Sequence, residues 1–101
     1  MSIRYDGKVA IVTGSGGGLG RCHAIELAKR GAKVVINDLG GGVDGSGGSS
    51  EAARSVVAEI EALGGAAIAN GANVAKYDEV EAMVKQAMDK WGRVDILVNN
   101  A

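Results

Sequence analysis

The sequence predicts an α/β fold, a parallel sheet doubly wound by helices, on three observations. Short β-branched runs alternate with longer runs of helical period along the whole chain, the pattern of strand–helix–strand units. The first apolar run, Val9-Ala10-Ile11-Val12, leads straight into Thr13-Gly14-Ser15-Gly16-Gly17-Gly18-Leu19-Gly20, and a helical run leads straight out of it. The chain of 101 residues has room for one small domain, residues 1–101, with a single core.

Each element has its own signature. The first strand is Lys8 to Thr13, and the first helix runs from about Gly18 to Arg30 with Gly20, Ala24, Leu27 and Ala28 on one face. Small residues there let the helix lie close to the sheet, while Arg21, Glu26 and Arg30 reach water. Lys29-Arg30-Gly31 is a stop, with cations in the last turn and glycine after it. The second strand is Lys33-Val34-Val35-Ile36-Asn37, closed by Asp38. Residues 39–50 form a Gly/Ser-rich connection, long for its type, that reads as a surface excursion or as a functional flap.

Ser49 or Ser50 can cap the second helix, whose apolar stripe is Ala53, Val56, Val57, Ile60 and Leu63 and whose stop is Gly64-Gly65. The third strand, Ala66 to Asn70, is weak by propensity because alanine packs poorly on a pleated surface. The third helix spans about Tyr77 to Trp91, with Val80, Met83, Val84, Ala87 and Trp91 on one side, and Gly92 ends it. Val94-Asp95-Ile96-Leu97-Val98 is the fourth strand. With the strands in the order 3-2-1-4, that strand is an apolar edge wanting a neighbour.

Composition excludes several classes. A net charge of -1 supplies no basic field, so nucleic acid and anionic membrane are not expected partners. No apolar run reaches the ~18–20 residues that cross a bilayer, and the residues before Val9 contain no apolar core of a secretory signal. A single cysteine, Cys22, permits no internal disulfide and leaves the cytoplasm as the default compartment. Cys22 reads as a small, partly buried apolar residue, and Trp91 as a core anchor at a helix end. His23, on the outer side of the first helix, has no ligating partner at metal spacing except adjacent Cys22, so no metal is expected.

The glycine stretch is the candidate site. It fits neither the P-loop, which needs Gly-Lys-Ser/Thr, nor the strict Gly-x-Gly-x-x-Gly fingerprint, because Leu19 stands where the third glycine belongs. It does fit Thr-Gly-x-x-x-Gly-x-Gly through Thr13, Gly14, Gly18 and Gly20. Gly14 lets the strand turn sharply, Gly18 admits a pyrophosphate to the backbone, and Gly20 allows close helix–sheet packing. No acid lies between Gly14 and Arg21 to compete with an anion at the helix start. Asp38 closes the second strand ~20 residues further on, where a carboxylate accepts from the adenosine ribose hydroxyls and repels a 2′-phosphate. The cofactor expected is therefore NAD rather than NADP.

Together these residues resemble the short-chain dehydrogenase/reductase family over essentially the whole chain. Thr13-Gly14, Gly18-Leu19-Gly20, the acid Asp38 and the segment Asp95-Ile96-Leu97-Val98-Asn99-Asn100-Ala101 are similar to three motifs of that family in its order and spacing. Tyr5-Asp6-Gly7-Lys8, Gly16 to Arg21 and Asn37-Asp38-Leu39-Gly40-Gly41 narrow the likeness to one branch, the 3-hydroxyacyl-CoA dehydrogenases of peroxisomal β-oxidation and their bacterial relatives. The resemblance implies a Rossmann-like fold and hydride transfer between NAD(H) and a secondary alcohol or ketone. It also implies a small-molecule substrate such as an acyl-CoA, a homo-oligomeric intact enzyme, and a peroxisomal location in a eukaryote. It further implies that Ser15 and Leu19 line the pyrophosphate and ribose, Asn73 and Val74 the adenine, and Asn99 and Ala101 the ribose on the nicotinamide side. Asn73 departs from the family's usual aspartate, which implies weaker adenine recognition.

The family's proton-handling Tyr-x-x-x-Lys is missing. Four residues after Tyr5 stands Val9, and four after Tyr77 stands Glu81. No catalytic residue is therefore assigned, and the 101 residues read as the N-terminal, NAD-binding part of a longer enzyme, inactive alone. A stand-alone nucleotide-binding or redox-sensing module is the alternative, and a half-sheet without a ligand is a third reading.

Overall fold

The computed structural model describes residues 4–38 and 51–100, and the connection 39–50, with the caps assigned to Ser49 or Ser50, lies outside the described residues. In chain order the elements are β1 (Val9–Val12), α1 (Gly18–Lys29), β2 (Lys33–Asn37), α2 (Glu51–Ala62), β3 (Ala66–Asn70), α3 (Tyr77–Trp91) and β4 (Ile96–Val98). The strands form one parallel sheet in the order β3-β2-β1-β4, as the alternation predicts.

The two faces of the sheet explain why β1 and β2 read as continuous apolar runs. Side chains alternate between faces along a strand. Val12, Val34 and Ile36 turn to one face, where Ala24 and Ala28 of α1 and Ala53, Val56 and Ile60 of α2 cover them. Val9, Ile11 and Val35 turn to the other, where Met83 and Ala87 of α3 lie, with Val80, Trp91 and Val94 packed beside them. With both faces covered, every residue of β1 is buried, so no polar alternation survives in its sequence.

The buried line of α1 is Gly20, Ala24 and Ala28, one residue per turn and all small. Arg21 does not simply extend to water. Its guanidinium forks onto Glu59 of α2, with Nε donating to Oε1 at 3.0 Å and Nη2 pairing with Oε2, and so fastens the two helices. Arg30 pairs with Glu26 along α1.

Four expectations about individual side chains are corrected. Leu63 is exposed because α2 ends at Ala62 and Leu63 falls in the turn opened by Gly64. Val84 lies on the flank of α3 away from the Met83–Ala87 line and is also exposed. Cys22 is exposed, not partly buried, because it follows Arg21 around α1 away from the sheet. The fourth strand begins at Ile96, since Val94 packs under α3 instead of pairing. Trp91 is half-buried against the core cluster that includes Val9, Ile11, Met83 and Ala87, as a helix-end anchor should be.

Asp95 fixes the start of β4. Its N–H donates to Val9 O at 2.9 Å, and its Oδ2 accepts the Val9 N–H at 2.9 Å and Arg93 Nε at 2.8 Å. The Arg93 bonds, then the Val9 N–H, hold its carboxyl below the ordinary carboxylate value of 3.8. A folded-state value below the unfolded one adds stability that is present above the ordinary value and is lost as pH falls through the folded one. Acid titration followed by circular dichroism should show the native protein losing more stability below about pH 4 than Asp95→Asn does, because the amide cannot titrate.

Candidate functional site

Parallel strands end at the same edge of the sheet, and the polar residues of this chain collect there. Between β1 and β4 the connections leave the sheet in opposite directions, the position at which open α/β sheets bind ligands. The turn from β1 to α1 occupies that position.

The turn depends on glycine for two reasons, backbone conformation and space. Gly14 and Gly18 adopt φ of 62° and 58°, a region disfavoured for residues with a Cβ. Gly20 is needed for space, because a Cβ on it would lie 2.3 Å from Gly14 O and 2.7 Å from Asn100 Nδ2. A Cβ on Gly18 would meet nothing within 4 Å among the described residues, so toward them its backbone is open. Gly17 stands at the start of α1 without a capping side chain, and the first turn contains no acid. The helix therefore presents its leading N–H groups and the positive end of its dipole outward.

Two hydroxyls hold this turn from inside. Thr13 is buried, and its Oγ1 accepts the Asn100 N–H at 2.9 Å while lying 3.3 Å from both Val98 O and Asn99 Oδ1. It thus binds the end of β1 to the segment after β4, and Asn100 Nδ2 adds a bond to Gly14 O at 3.3 Å. Ser15 is fully buried, with Oγ donating to Val12 O at 2.6 Å and its N–H to Asn37 O at 2.8 Å. Its hydroxyl is taken up within the turn, bonded to Val12 O and 3.3 Å from Asn37 O.

Asp38 follows β2, with its N–H on Asn70 O at 3.0 Å. Its carboxylate lies against the glycine turn, so that a Cβ on Gly16 would sit 2.1 Å from Oδ2 and 3.0 Å from Ala52 Cβ. Gly16 is the residue that sequence reasoning missed here. Its glycine was visible, but the reason for it lies in Asp38 and Ala52, more than 20 residues further along the chain.

The remaining predicted residues fall on the same edge. Leu19 is 70% exposed at the mouth of the turn, an apolar side chain left largely uncovered by the described residues. Asn73 and the exposed Val74 lie just past Ala72, whose carbonyl is tied to β2 by Asn37 Nδ2 at 3.1 Å. Asn73 Oδ1 accepts the Ala75 N–H at 2.9 Å, which leaves the amide oxygen one further lone pair to offer. Asn99 sits by Thr13, and Ala101 lies outside the described residues. Asn37 and Asn70, which bond to each other at 3.0 Å, were also missed, because they read as ordinary strand ends.

A parallel sheet in this order, with a glycine turn and a carboxylate at the ends of its first two strands, defines a nucleotide-binding class of α/β protein. The chain belongs to the short-chain dehydrogenase family, whose model matches residues 8–101. It is 56% identical over 104 residues to peroxisomal multifunctional enzyme A of Dictyostelium discoideum, covering 100% of this chain and 22% of that protein. It is 54% identical over 102 residues to peroxisomal multifunctional enzyme type 2 of Mus musculus, covering 98% of this chain and 13% of that one. Among solved structures, a 7α-hydroxysteroid dehydrogenase complexed with NADH and 7-oxo glycochenodeoxycholic acid matches at a TM-score of 0.82 and 43% identity, over 97% of this chain and 35% of the other. The chain thus spans well under half the length of these relatives.

The Gly20 contact is with a backbone oxygen that cannot swing aside. Gly20→Ala should therefore cost about 1–3 kcal/mol of stability, read as a lowered midpoint in urea unfolding.

Proposed function

We propose that this chain is the NAD-binding part of a dehydrogenase that moves hydride between NAD(H) and a secondary alcohol or ketone. The observation that carries the reading is the Asp38 carboxylate lodged against Gly16, beside a helix start that has neither a capping side chain nor an acid. One end suits ribose hydroxyls and the other suits a pyrophosphate, and the residues present fit the two halves of such a cofactor. A 2′-phosphate would meet the Asp38 charge, which supports NAD over NADP.

The N–H groups at the start of α1 would hold the pyrophosphate, and Asp38 would accept from the adenosine ribose. Leu19 and Val74 would cover apolar surface of the bound nucleotide, and Asn73 would accept from the adenine amino group with its remaining lone pair. Asn99 and Ala101 would run along the ribose of the nicotinamide side. Thr13 and Ser15 act from beneath, holding the turn in the shape these contacts need. When bound, the nicotinamide supplies the hydride acceptor or donor.

Neither tyrosine of this chain is followed four residues later by lysine, so the group that takes the substrate's proton is assigned to residues outside these 101. The likeness of Tyr5 to Lys8 and Gly16 to Arg21 to the 3-hydroxyacyl-CoA dehydrogenase branch supports a 3-hydroxyacyl thioester as substrate, and the peroxisomal multifunctional relatives support, in a eukaryote, a peroxisomal location. Among the described residues no helix is long and apolar enough to cross a membrane.

Calorimetric titration with NAD and NADP tests the reading. NAD should bind more tightly than NADP, and Asp38→Ala should weaken NAD about tenfold while narrowing that preference. Gly16→Ala should do the same without touching the carboxylate, by displacing it. Equal affinity for both dinucleotides in the unsubstituted protein would overturn the assignment.

A further inference from the structure

We propose that Asn37 is a positioning residue for the adenosine half of the site, an inference that rests on the NAD reading above. Asn37 is 2% exposed at the end of a strand whose other buried residues are valine and isoleucine. An apolar residue would fill that position without the desolvation cost of an amide, so the amide's worth lies in its bonds. Among the described residues no buried side-chain polar atom lacks a partner, and Asn37 is bonded through both its main chain and its side chain.

These bonds reach the segments on either side of Asp38. The Asn37 carbonyl accepts the Ser15 N–H at 2.8 Å, which sets the glycine turn. Its Nδ2 donates to Ala72 O at 3.1 Å and to Asn70 Oδ1 at 3.0 Å, which sets the segment leading to Asn73 and Val74. One residue thereby spaces the pyrophosphate turn, the ribose acid next to it and the adenine side.

The polarity of this network is dictated by the backbone. Ala72 O can only accept, so the Asn37 group facing it is the NH2. Ala72 N can only donate, and it donates to Asn70 Oδ1 at 2.8 Å, so that oxygen faces inward and takes the Asn37 proton as well. Asn70 Nδ2 then faces outward to Gln86 Oε1 at 2.8 Å. An aspartate at position 37 would have the same shape but would set oxygen against Ala72 O and Asn70 Oδ1, two acceptors, with no proton to share.

The test is titration of adenosine monophosphate and NAD into the full chain and into Asn37→Asp, Asn70→Ala and Val34→Ala. The first removes the donor, the second removes its partner at the half-buried end of β3, and the third weakens the core under β2, the strand of Asn37, away from the site. Each titration is run well below the unfolding midpoint of the variant. Asn37→Asp and Asn70→Ala should weaken both ligands by a common factor of about three to ten, because the loss lies in the shared adenosine half. Val34→Ala should lower the midpoint and leave both affinities in place.

Unchanged affinity in Asn37→Asp and Asn70→Ala, or an equal loss in Val34→Ala, would overturn the positioning role while leaving the NAD reading standing. If Asn37→Asp does not fold, Asn70→Ala decides by the same criterion. Failure of the unsubstituted chain to bind either ligand would overturn both.

Discussion

Helix α1 can begin where it does because Gly20 brings its backbone against the Gly14 carbonyl, at a distance no side chain would allow. That approach draws the helix start down onto the end of β1, and the rest of the site follows from it. The turn between them has to reverse sharply, which Gly14 and Gly18 permit through their left-handed conformation. The turn then passes close enough to β2 for Gly16 to meet Asp38. A larger residue at position 20 would open this arrangement from its hinge.

The chain divides its labour between the sheet and its carboxyl edge. Within the sheet the contacts are apolar and nearly interchangeable, since valine and isoleucine of β1 and β2 are packed by alanine and small aliphatic residues of the helices. At the edge the contacts are polar and particular. Thr13, Ser15, Asn37, Asn70 and Asn100 each join two segments far apart in sequence. The apolar layers place the strand ends at one level, and the polar bonds then adjust what projects from them. Arg21 and Glu59 add a brace between α1 and α2.

Most of the fold was legible because its signals are local. The boundaries of β2, β3 and α3 coincide with the expected ones, and strand order follows from the strand–helix alternation. Leu63 and Val84 were misplaced because periodicity assigns a residue to a face without saying where a helix stops or how wide its buried stripe is. In the site, Gly14, Gly18, Gly20 and Asp38 were legible because each stands in a spaced pattern. Gly16, Asn37 and Asn70 were not, because their purpose is a partner distant in sequence or on a neighbouring segment. Ser15 shows the converse, since it stands inside the motif while its hydroxyl turns inward to Val12 O.

The Asp95–Val9 bond has a consequence for the order in which the sheet assembles. It joins residues 86 apart, whereas β1 meets β2 across a single intervening helix. Loop-closure entropy grows with the length enclosed, so the β1–β2 pair comes together at lower cost than β1–β4. During synthesis, β1 and its two helices on one face emerge long before β4, and the Thr13 hydroxyl has no Asn100 to meet until that residue, 87 positions further on, is made. The glycine turn is thus encoded first and finished only when the segment after β4 arrives.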